Sequence, residues 1–70
     1  MNNQMFTNIL YTKVQRLISM IKEGLNINFF EAGKLLYNSQ LYKALEKEET
    51  KMWYYSSYAL YNMFIEEKNW

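Results

Sequence analysis

Phe6, Ile9, Leu10, Val14, Leu17, Ile18 and Ile21 recur at helical spacing, which places them on one stripe of a helix running from about Asn3 to Glu23. Asn8, Thr12, Gln15, Arg16, Ser19 and Lys22 fall mainly off that stripe. Gly24 then stands where a residue of left-handed conformation ends a helix, with Leu25 free to fold back on the last turn. A second helix is predicted near residues 28–37, with Asn28 as N-cap, Glu31 three residues on, and Phe29, Ala32, Leu35 and Leu36 facing inward. Tyr37-Asn38-Ser39 breaks it, and Ser39 caps a third near 39–46 that carries Leu41, Tyr42, Ala44 and Leu45.

A polar stretch, Lys47 to Lys51, leads into Met52-Trp53-Tyr54-Tyr55, whose aromatic density favours an extended conformation. Ser56 or Ser57 caps a last helix near 56–67. The expected architecture is therefore all-α: one domain over residues 1–70, a small bundle of about four helices with one short extended aromatic segment before the last. Its predicted core is Ile9, Val14, Leu17, Ile18, Leu36, Leu45, Leu60 and Phe64. A lone strand has no partner in such a fold, so Met52 to Tyr55 must lie flat on the helices or pair with another molecule.

Composition narrows the chemistry. The 70 residues include no Cys, His, Asp or Pro, which removes disulfides, Cys/His zinc sites, thiol nucleophiles and imidazole bases together. Ser39 with Lys43 is the best Ser–Lys pair, and it reads as a helix cap followed by a solvated lysine. Glu48 and Glu49 are adjacent rather than opposed across a cleft, and Glu66 with Glu67 reads as an exposed helix end. The expectation is a protein that is not an enzyme and takes no cofactor or metal.

A formal charge of +1 gives no concentrated basic field for nucleic acid. No apolar run approaches the roughly 20 residues of a membrane span, and the opening MNNQMFTNILYTK lacks the basic-then-apolar order of a secretory signal, so the cytoplasm is the expected compartment. Ala32, Leu36, Asn38-Ser39, Tyr42 and Leu45 do imitate a helix-turn-helix, making a DNA-binding regulator built on residues 28–46 the alternative function. Its recognition helix would offer only Gln40 and Lys43 to bases, and the loop after it is acidic.

Thirteen aromatic residues (seven Tyr, four Phe, two Trp) exceed what so small a core can hold. Six of them crowd into Trp53 to Phe64. With Leu60, Met63 and Phe64 inward, Tyr54, Tyr58 and Tyr61 fall on a neighbouring face at spacings of four and three, and with Trp53 they form the candidate partner-binding site. The expected partner is another protein or a second copy of the chain. A homodimer would be joined through those tyrosines or through the Phe6 to Val14 half of the first helix.

Asn38-Ser39-Gln40-Leu41-Tyr42, Leu45-Glu46, Glu48-Glu49-Thr50-Lys51, Trp53, Ser56 and the final helix together resemble a group of short bacterial proteins with an Asn-Ser, a following Leu, a Glu-Glu-Thr-Lys-x-Trp core and a Ser-capped last helix. The resemblance covers roughly Ile27 to Glu67. It implies a place in toxin-antitoxin-like loci that also encode an ADP-ribosyltransferase-like protein, and hence a neutralising or accessory role, with no site residue to carry over. Where the group often has Pro after the capping Ser, this chain has Ser57.

Overall fold

The computed structural model describes residues 3–68; the first two and last two of the 70 positions, and with them the ends of the expected 1–70 domain, lie outside the described residues. α1 (Asn3–Leu25), α2 (Phe29–Tyr37), α3 (Gln40–Leu45) and α4 (Ser57–Lys68) follow in order, with two 3-10 turns, Glu48–Thr50 and Met52–Tyr54, between the last two helices. α1 is the spine. At about 1.5 Å per residue its 23 residues account for nearly all of the 36 Å long axis, and α2 and α4 pack along its two flanks. Val14, Leu17, Ile18 and Ile21 meet Ala32, Leu36, Leu41, Leu45, Trp53, Leu60 and Phe64 in one core. Every predicted core residue is there except Ile9, which is only half-buried near the free end of α1.

α1 ends differently from the sequence expectation. Gly24 remains helical, and it is Asn26 that turns left-handed, at φ 56°. The Ile27 N–H then donates to the Lys22 carbonyl at 3.2 Å, the six-to-one bond of a Schellman cap. Asn tolerates that conformation because its short polar side chain eases the Cβ penalty, which leaves Gly24 for another use. α2 begins as predicted: the Asn28 side chain accepts from the Glu31 N–H at 2.8 Å. Phe29, expected inward, instead stands about half exposed, and Ala32 and Leu36 carry the inward face of α2.

The α2–α3 corner turns on Ser39, which is fully buried. Its hydroxyl donates to the Leu36 carbonyl at 2.6 Å and accepts from the Tyr42 N–H at 3.0 Å, so one side chain closes the end of one helix and caps the next.

No strand forms among the described residues, and the extended reading of Met52 to Tyr55 is corrected. Lys51, left-handed at φ 57°, links the two 3-10 turns. Thr50 Oγ1 lies 2.7 Å from the Ala44 carbonyl and 2.8 Å from that of Lys47, and accepts from the Met52 N–H at 3.2 Å. The Trp53 indole N–H donates to the Glu48 carbonyl at 2.8 Å. Aromatic β-propensity reflects packing on a pleated neighbour, and with no neighbouring strand these local bonds win. Ser56, the first of the two candidate caps, accepts from the Ala59 N–H at 3.0 Å and starts α4.

Candidate interaction surface

The four residues proposed from sequence do not share a face. Trp53 is only 4% exposed and belongs to the core, where the Phe6 ring meets it edge-on at 5.5 Å. Because the segment is a 3-10 turn and not part of α4, Tyr54 does not continue the Tyr58 and Tyr61 stripe; it stacks on Trp53 at 4.4 Å. Tyr61 lies against α1: a Cβ added at Gly24 would collide with its hydroxyl and come within 3.1 Å of ring carbon Cζ. Tyr54 and Tyr58 remain well exposed, at 66% and 69%. Lys13 ties this end together by donating from Nζ to the Tyr55 carbonyl at 2.8 Å.

A second aromatic surface, absent from the sequence reading, lies between α1 and α2. Phe29, Phe30 and Tyr37 stand along one side of α2 with Phe30 63% exposed, and Gln15 and Ile18 of α1 face them. The groove between has a volume of about 290 Å³ and Gly33 at its floor. Lys34 rims it, with Nζ 5.6 Å from the centre of the Phe30 ring, a cation–π distance. A signal for this surface did exist. Lys34 and Tyr37 follow Phe30 at four and seven residues, which puts all three on one stripe of the helix, away from the Ala32 and Leu36 face. Gln15 also borders a groove on the opposite flank of α1, with Arg16, Met20 and Tyr58, so the two aromatic regions adjoin across the α1 ridge.

The N-terminus of α3, where a recognition helix would meet DNA, is occupied from within. The Glu67 carboxylate of α4 accepts from the Gln40 N–H at 2.6 Å and the Leu41 N–H at 2.9 Å. With Ser39 on Tyr42, all three leading N–H groups of α3 are satisfied by side chains. Glu67 is exposed, as its position at the helix end suggested, and is also a structural cap of α3; a contact across 26 residues leaves no local signal.

Tyr42 is half-buried, and its phenol is held above the usual 10.0 by that burial first, then by the Glu46 carboxylate and by Tyr37. Its ring meets Tyr37 edge-on at 4.9 Å. Among the described residues no three His, Cys, Asp or Glu side chains come together to hold a metal ion, and no helix is long and apolar enough to cross a membrane. Compared with known proteins, the chain matches no family model, no curated protein and no solved structure.

Proposed function

We propose that this chain is a small non-catalytic protein-interaction module, an antitoxin-like or accessory component that binds a partner and occludes its surface. The observation that carries the reading is a mismatch between core and surface. The core is closed, yet eight large apolar side chains are roughly half exposed or more, six of them on α2 or around the start of α4. Clustered rings that stay half exposed or more are a cost in water unless another surface covers them. Tyr and Phe suit that task because they bring large rigid area with few rotatable bonds.

The partner is another protein or a second copy of the chain. The helix-turn-helix reading of residues 28–46 has less support, since α3 is six residues long and Glu67 covers the end that would face the groove of DNA. Light scattering on a sizing column tests the reading, first on the protein alone across a hundredfold concentration range and then with the product of the adjacent gene. A concentration-dependent dimer or a stoichiometric complex is expected. A strict monomer that also ignores its neighbour overturns it.

A further inference from the structure

The floor of the α1–α2 groove carries an unexplained residue. Glycine in the interior of a helix costs about 1 kcal/mol relative to alanine, and Gly33 sits in the middle of the nine-residue α2. Its φ is not positive, so the backbone does not require it. Packing does not require it either: an added Cβ would lie 3.8 Å from Ile18 Cδ1 and 3.9 Å from Tyr37 Cε2, ordinary contact distances. A methyl group there would instead sit between the two walls and fill the groove floor. Gly33, itself buried, therefore gives up helix stability and leaves the floor of an aromatic-walled groove without a side chain.

The walls say what the groove suits. About 290 Å³ is below the roughly 300–1,000 Å³ of small-molecule sites and suits one or two bulky side chains. Lys34 and Gln15 supply donors at the rim, and no carboxylate lines the groove. The adjoining groove across α1 likewise carries Arg16 without a carboxylate. A second copy presenting this same face would bring Lys34 and Gln15 again and no groove carboxylate to pair with them. Glu48 and Glu49 flank Trp53 and Tyr54, away from this groove.

We infer that the α1–α2 groove is a docking site for an acidic amphipathic segment of another protein, which inserts a bulky apolar side chain over Gly33 and sets a carboxylate against Lys34. This rests on the interaction reading above and makes it specific to one face and one partner chemistry. Helix-in-groove recognition of this kind uses a few apolar anchors for affinity and rim charge for selectivity.

The test is a titration of the isotope-labelled full chain, followed by amide NMR, with two synthetic amphipathic helices that share a Leu stripe and carry flanking Glu in one and flanking Lys in the other. The expected result is shifts at Gln15, Ile18, Gly33 and Lys34, with the Glu helix binding about tenfold tighter than the Lys helix. Phe30→Ala should abolish the shifts, Lys34→Glu should invert the preference, and Gly33→Ala should weaken binding while raising the melting temperature. Equal affinity for the two helices, no shifts with either, or shifts confined to Tyr54 and Tyr58 would overturn the groove assignment. In each of those cases a complex with the neighbouring gene product would still uphold the broader reading. Groove shifts that arise from concentration alone would replace the acidic segment with a second copy.

Discussion

Gly24 and Gly33 lie in neighbouring helices, each facing an aromatic ring, and the molecule treats them in opposite ways. At Gly24 the missing side chain is filled from within, because the Tyr61 hydroxyl occupies the space a Cβ would take at this exposed point of the α1–α4 contact. At Gly33 the missing side chain is filled by nothing in the chain, and the α1–α2 groove stays open. The same residue type thus marks a filled gap at an exposed position in one place and an unfilled one at the buried floor of a groove in the other. What separates them is the neighbour that approaches and not the helix that carries them.

Substitutions that probe the two regions should separate sharply. Phe64→Ala, in the buried seam, should cost about 3–5 kcal/mol by chemical denaturation, since the ring is fully enclosed. A loss below about 1 kcal/mol would show that the seam is not the stabilising half. Gly24→Ala should destabilise by no more than about 1 kcal/mol, as the half-buried Tyr61 swings aside against the gain in helix propensity. In a Tyr61→Ala background the same change should become stabilising, and a double-mutant cycle that shows no such change of sign would break the comparison.

Comparable or smaller effects belong to the groove side. Asn28→Ala, which removes the α2 cap, should cost about 1 kcal/mol. Gly33→Ala should raise stability by about 0.5–1 kcal/mol, the reverse of the change at Gly24, because the added methyl meets only ordinary contacts. Phe30→Ala should alter stability by no more than about 0.5 kcal/mol, as expected of an exposed ring with no core role; a larger loss in thermal melts would make the aromatic wall structural. Smallest of all near neutrality is the Tyr42 contribution. Its raised pKa favours the folded state at every pH below 10.0 equally and withdraws stability only as pH climbs above that value, a loss that Tyr42→Phe should remove.

The periodic apolar spacing of α1 was enough to identify a helix and its buried face, because 3.6-residue repetition and burial are the same fact seen along the chain and across it. Asn28, Ser39 and Ser56 were legible as caps for a similar reason: each bonds an N–H within three residues, so the partner lies inside the local pattern. Local reading failed where a long-range neighbour decided the outcome. Gly24 looked like a helix terminator until Tyr61, 37 positions later, was found to occupy its open side. Trp53 and Tyr54 looked extended and exposed as a pair, but the indole found Phe6 and the Glu48 carbonyl, and only Tyr54 was left outside. Glu67 showed only as an exposed helix end, and its capping of α3 came from α4 folding back to the start of that helix. Hydrogen bonds that close within a turn are written in adjacent residues; which ring fills which gap depends on how helices far apart in the chain come to lie side by side.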